Sequence, residues 1–213
     1  MFVSLPAREV RRRLPRLLLG LVMCGVGIAL MVEAELGLAP WDVLHQGLSE
    51  LTGVPIGTTN VAVGALVLLT WLPLRERPGL GTVLNVLLIG LTVDAVLAVA
   101  PHVEALAVRG PLLVGGVLTF GVGSGFYIGA GLGPGPRDGL MTGISRRGPS
   151  VRVARTAIEL VVLVAGFLLG GGVGVGTVLF ALAVGPVVHY ALDRLTIPGG
   201  AAPRPSITPS SVT

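Results

Sequence analysis

The ionisable and amide side chains that interrupt apolar sequence in this chain are few, and their spacing is informative. Arg155 and Glu159 stand four apart, so on a helix they share a face and can pair, which lowers the cost of burying either charge. Asn85 and Asp94 share a second apolar stretch, and His189 lies in a third. Asp94 and His189 are residue types that exchange protons in a coupled transporter. Asp42 and Asp138 each follow a proline by two residues, in Pro40-Trp41-Asp42 and Pro136-Arg137-Asp138. Ionisable groups at membrane depth are costly and mark substrate or ion pathways. Each also has a plainer reading. The Arg155–Glu159 pair can fix helix packing, Asp94 and His189 can reach headgroups from helix ends, and the two aspartates can serve as helix caps.

Other chemistries are excluded. Every one of the fifteen basic residues is Arg, so no phosphate-binding loop ending in Lys exists. The Gly-Val-Gly-Ser-Gly run at 121–125 lies inside an apolar stretch, where a strand-turn-helix has no place. His45, His102 and His189 are far apart and lack metal-ligand spacing, and a single cysteine, Cys24, excludes an internal disulfide and a multi-cysteine metal site. No catalytic triad can be assembled. The expectation is a protein that is not an enzyme, with no catalytic residues, no cofactor and no metal. A net charge of +4 and a pI near 10.5 do not imply nucleic acid, because the arginines cluster at the ends of apolar stretches and form no stripe.

Those residues are positioned by apolar helices. Mean hydropathy is +0.87 over 213 residues and only 12% are charged, about half the share usual in soluble domains. Six stretches approach the ~20 residues that span a bilayer: 17–34, 56–74, 82–100, 112–130, 151–169 and 176–195. The first follows Arg11-Arg12-Arg13 and is longer than the ~7–15 apolar residues of a secretory signal. Arginine-bearing loops alternate with loops holding little or no basic charge. This pattern fits six spans with both termini cytoplasmic. The tail from Pro198 is rich in Pro, Ser, Thr and Gly and is expected to be disordered.

The two halves match. Gly25 and Gly27 align with Gly121 and Gly123 at an offset of 96 (25 to 121), which also carries Gly37, Pro40, Asp42, Gly47 and Ser49 onto Gly133, Pro136, Asp138, Gly143 and Ser145. After one deletion the offset is 95 (81 to 176), carrying Gly81-Thr82 and Gly90 onto Gly176-Thr177 and Gly185. Asn60 then matches Arg155, Gly64 matches Glu159, and Asp94 matches His189. Three spans per copy invert the second copy relative to the first. The predicted fold is an all-α membrane protein of six transmembrane helices, arranged as two inverted three-helix repeats. The expected parts are a basic cytoplasmic tail (1–16), repeat 1 (17–100), an external loop (101–110), repeat 2 (111–196) and the C-terminal tail (197–213). Each copy holds a short Pro-x-Asp helix, with proline at its first position and the carboxylate near the positive end of the dipole. It is too short to span. It lies flat at the headgroups or dips in as a re-entrant half-helix.

The runs Gly37-Leu-Ala-Pro40-Trp41-Asp42, Gly81-Thr82-x-x-Asn85, Gly133-Pro-Gly-Pro136-Arg137-Asp138, Arg155-Thr156-x-x-Glu159 and Gly174-x-Gly176-Thr177 together resemble the YczE branch of the bacterial YczE/YyaS/YitT membrane proteins. The resemblance runs from about Arg16 to Leu195 and implies a small inner-membrane protein of largely uncharacterised function. The first expectation is a small-molecule secondary transporter or exporter with its path between the repeats. Asp42 and Asp138 would stand at its two entrances, Arg155 and Glu159 would be the charged element inside, and Asn60, Asn85, Asp94 and His189 would be further pathway candidates. The alternative is a scaffold that docks a cytoplasmic partner through exposed Arg137, Arg146 and Arg147. Expected partners are the lipid bilayer and an unknown small molecule, with no nucleic acid. Gly121, Gly125 and Gly129 recur every fourth residue and offer a flat packing face, within the chain or in a homodimer.

Overall fold

The computed structural model of the chain describes residues 6–197, and the C-terminal tail expected from Pro198 lies outside them. The described residues form eight helices and no strands: α1 (Ala7–Ala34), α2 (Pro40–Thr52), α3 (Ile56–Leu74), α4 (Leu80–Leu97), α5 (Leu106–Gly129), α6 (Pro136–Ser145), α7 (Val151–Leu168) and α8 (Val175–Leu195). By length and composition α1, α3, α4, α5 and α8 can each cross a membrane. The sixth expected span, α7, is 18 residues long but carries Arg152, Arg155 and Glu159, and it does not meet that measure. The apolar helices bury their backbone hydrogen bonds internally, as a bilayer requires.

α1 begins at Ala7, ten residues before the apolar stretch, because the arginine-rich segment is itself helical. Arg13 is buried there. Its Nη1 donates to the Ala130 carbonyl at the end of α5, 3.1 Å away, and Glu9 accepts from its Nε at 3.3 Å. Arg109, 96 residues on, makes the matching bond: its Nε donates to the Ala34 carbonyl at the end of α1 at 2.6 Å. Each guanidinium meets the orphan carbonyls at the end of the other helix, where a cation also suits the dipole.

α1 and α5 are the central pair. A Cβ on Gly20 would stand 2.6 Å from the Gly123 carbonyl oxygen, and one on Gly116 would stand 2.8 Å from that of Gly27. Only hydrogen fits, and the order of the contacts makes the two helices antiparallel. α8 lies along α5 in the parallel sense, with Val187 against Gly121, Ala191 against Gly125 and Leu195 against Gly129. The glycine stripe of α5 is therefore covered by α8 of the same chain, the first of its two packing alternatives. The main apolar cluster gathers Leu17, Leu21, Cys24, Ile28 and Met31 of α1 with Val93 of α4 and Val117 of α5.

The short helices sit between the long ones. Each is preceded by a glycine in the left-handed region, Gly37 at φ 106° and Gly133 at φ 133°. Each approach is clasped by the other half of the chain. The Gly176 N–H donates to the Leu36 carbonyl at 2.7 Å, and the Gly81 N–H donates to the Leu132 carbonyl at 2.9 Å. Pro40 and Pro136 then open α2 and α6, where a missing N–H costs nothing. α2 packs chiefly on α7, and α6 on α3.

Candidate functional site

α2 and α6 carry their first turns inward. Trp41, Asp42, Val43 and His45 of α2 are buried, as are Pro136 and Gly139 of α6. The two Pro-x-Asp motifs interlock through their middle residues. The Arg137 guanidinium carbon lies 4.9 Å from the centre of the Trp41 ring, and its Nη2 is 3.6 Å from Asp42 Oδ1. The aromatic face and the carboxylate hold one planar cation in two ways. On its other side Asp42 Oδ1 is 3.3 Å from His45 Nδ1, which is 3.2 Å from the Asn60 amide of α3. A proton on Nδ1 ties the imidazole to the carboxylate. Trp41 Nε1 and Asp42 Oδ2 are buried without a hydrogen-bond partner.

A cavity of about 220 Å³ adjoins this junction. Trp41, His45, Asn60, Asn85, Tyr127 and Asp138 stand in its wall, together with Arg137, Arg155 and Glu159, and Phe120 and Phe180 form an apolar side. The Tyr127 hydroxyl donates to Asp138 Oδ2 at 3.2 Å. Arg155 and Glu159 pair at 3.0 Å, and their side chains are 58% and 36% exposed. Residues that line a cavity and still face outward stand at its mouth.

The structure therefore brings Asn60, Asn85, Asp138, Arg155 and Glu159 to one cavity, with Asp42 behind Arg137. Asp42 and Asp138 stand at one junction, where the two motif starts meet, rather than at separate openings. Asp94 and His189 do not meet. Asp94 accepts from the Gly57 N–H at 2.6 Å and from the Thr58 hydroxyl at 2.7 Å, so it caps the start of α3. His189 faces outward and lies 3.7 Å from Asp193. Arg137 is turned in rather than presented to a partner. Spacing alone does not single out Trp41, His45, Tyr127 or the inward role of Arg137. For the last of these a signal existed: an arginine inside a repeated motif, opposite a tryptophan at the matching position. Among the described residues no group of three or more His, Cys, Asp or Glu is placed to hold a metal ion.

The sequence model of a family of unknown function (DUF6198) matches residues 11–193. An uncharacterised membrane protein of Bacillus subtilis (strain 168), YczE, is 36% identical over 180 residues, covering 82% of this chain and 83% of its own. The chain belongs to the YczE-type family. An uncharacterised protein of Haemophilus influenzae (strain ATCC 51907 / DSM 11121 / KW20 / Rd) is 42% identical over 178 residues, 83% of this chain and 82% of that protein. YyaS of Bacillus subtilis (strain 168), also uncharacterised, is 26% identical over 178 residues, 80% and 88%. No solved structure matches the chain. Membership of a YczE-type family, with five apolar helices of membrane length, makes this an integral, multi-pass membrane protein. The residues of the cavity all fall within the matched segment.

Proposed function

We propose that this YczE-type protein is a small-molecule secondary transporter or exporter of the bacterial inner membrane, its pathway lying between two inverted three-helix repeats. Both termini are cytoplasmic in this reading, and no chemical reaction is catalysed. The observation that carries it is the meeting of the two short helices. Their N-terminal turns come together beside a cavity with polar and charged groups in its wall, the arrangement that broken helices make at the midplane of transporters. The reciprocal contacts support the inversion. Gly20–Gly123 maps onto Gly116–Gly27 under the repeat offset, as does the Arg13–Ala130 bond onto Arg109–Ala34. The inward turn of α2 and α6 supports re-entrant helices over interfacial ones. The docking alternative loses Arg137, one of the three cations it needs exposed.

The test is twofold. In a Cys24→Ala background, Ser124→Cys places a thiol in the cavity wall, and an impermeant thiol reagent applied to each face of the membrane should label it from one of them. In proteoliposomes, a panel of small radiolabelled amines and carboxylates should show at least one compound moved above the empty-vesicle rate. Glu159→Gln should return that flux to background while the protein stays folded. No labelling and no flux for any compound would remove the transport reading.

A further inference from the structure

The two halves differ at one seam. In the first, α3 and α4 close on each other: a Cβ on Gly57 would run into the Gly90 carbonyl, and Asp94 of α4 caps α3 across the join. In the second, α7 and α8 scarcely meet. α8 is not rotated away from its counterpart's position. Gly121 rests on Val187 as Gly25 rests on Thr92, the same pair under the repeat offsets. Gly185, which matches Gly90, nevertheless has no neighbour within 4 Å. The sequence explains the gap. Arg152 and His189 stand where the closed seam has Gly57 and Asp94, so neither the close approach nor the cap can form.

This gap leads to the cavity, whose wall includes Arg155 and Glu159 of α7 and Phe180, Val184 and Val188 of α8. The mouth lies about midway along α7. Glu159 is eight residues into α7, roughly 12 Å at ~1.5 Å per residue. Inside, both lining arginines already have an acid, Asp42 for Arg137 and Glu159 for Arg155. Asp138 is the lining carboxylate with no ion pair within 4 Å among the described residues, the charges of Arg155 and Arg137 acting on it from farther off; its hydrogen-bond partners are the Tyr127 hydroxyl and the Gly135 backbone. Trp41, Phe120, Tyr127 and Phe180 also line the space. The volume equals about seven waters at ~30 Å³ each, room for a headgroup rather than a drug-sized molecule.

We infer that the cavity takes an amphipathic organic cation, entered sideways from the bilayer between α7 and α8, with its ammonium group at Asp138 and its apolar tail in the gap. The inference rests on the transport reading only in treating the cavity as the substrate site.

The full chain in lipid nanodiscs carries its own reporter, since one of its two tryptophans, Trp41, lines the cavity. Hexyltrimethylammonium should change the fluorescence saturably, and hexanoate should bind at least about tenfold more weakly. Asp138→Asn should weaken the ammonium by about tenfold or more, while Asp138→Glu retains binding and the exposed Asp193→Asn leaves it unchanged. Gly185→Phe fills open space at the gap and should slow association, whereas Gly115→Phe, also in open space, should not. Equal binding of hexanoate, an Asp138→Asn protein that binds like wild type, or unhindered loading of Gly185→Phe would each overturn the inference. So would a Gly185→Cys protein, in the Cys24→Ala background, that crosslinks to a second copy in membranes. If Asp138→Asn does not fold, the comparison of the two hexyl compounds on the wild type decides. Binding without flux sinks the transport reading alone, and flux of carboxylates but not amines sinks this inference alone.

Discussion

At the residue scale the junction of the two motifs is held by a charge that cannot be removed without exposing another. Asp42 is almost fully buried, and Arg137 and His45 are its two neighbours of opposite or titratable charge. Breaking such a pair from one side leaves a buried charge uncompensated, at a cost of about 3–5 kcal/mol. Arg137→Leu should therefore lower the unfolding temperature of the purified protein sharply, and Asp42→Asn in the same chain should recover much of the loss. A double variant no more stable than Arg137→Leu alone would mean that Arg137 acts by packing on Trp41 and not by charge. Arg13 is a second case. Arg13→Met abandons the Ala130 carbonyl inside the protein, and it should cost about 1–3 kcal/mol in thermal unfolding followed by circular dichroism. The role of Arg13 is not visible in the sequence as a role, although Arg109 sits at the matched position, whereas Arg137 leaves a signal in its match to Trp41. Arginines at the ends of apolar stretches read as topology signals, and nothing in a linear chain tells a cation facing water from one folded back onto a neighbouring helix end.

At the element scale, helix ends were legible where backbone chemistry marks them. Pro40 and Pro136 open α2 and α6 as their sequence predicts, and α3 and α7 start where expected. The start of α1 was not legible, because its first turns are polar and owe their order to a tertiary contact. Rotation of helices was legible only in part. Asn60, Asn85, Arg155 and Glu159 reach the cavity, whereas Asp94 and His189, at matched positions, are spent on a cap and on an exposed pair. Spacing gives a shared face, but packing decides what that face meets. Glycine substitutions test the packing directly. Gly139 lies against the rigid Trp71 ring and Gly166 against the Leu44 backbone, so Gly139→Ala and Gly166→Ala should each lose about 1–3 kcal/mol by overpacking. At Gly115, where nothing stands within 4 Å, the same change removes backbone freedom and should stabilise by roughly 0.5–1 kcal/mol. The sign, read as a shift in unfolding temperature, separates seats for the short helices from lipid-facing positions. A loss at all three would mean that α5 is covered at Gly115 by something outside the chain.

At the scale of the whole molecule, the number of crossings is decided by the sense in which helices pack. α1 and α5 are antiparallel, so the proposed topology has α3 and α4 cross between them and α2 not. α5 and α8 are parallel, with contacts stepping 121 to 187, 125 to 191 and 129 to 195. A connected chain returns to the same sense only if one segment crosses between them. α6, with ten residues, is too short, so in the proposed arrangement the crossing falls to α7. At 18 residues α7 covers about 27 Å, close to a hydrocarbon core, but a charge at mid-bilayer costs roughly 2.5–3.5 kcal/mol on insertion scales. α7 keeps Arg152 in its first turn and packs against α2, which leaves that cost to Glu159 and its partner Arg155. Reporter fusions after Arg77, Arg147 and Leu195 should therefore fall on one face of the membrane, and fusions after Thr52, His102 and Gly170 on the other. Should the Gly170 fusion share a face with Arg147, α7 would not cross, the chain would have five spans, and the parallel seating of α8 on α5 could not stand. α7 transplanted alone into a reporter protein should insert poorly, and Glu159→Leu should improve its insertion, because in the native chain the surrounding helices supply what the isolated segment lacks.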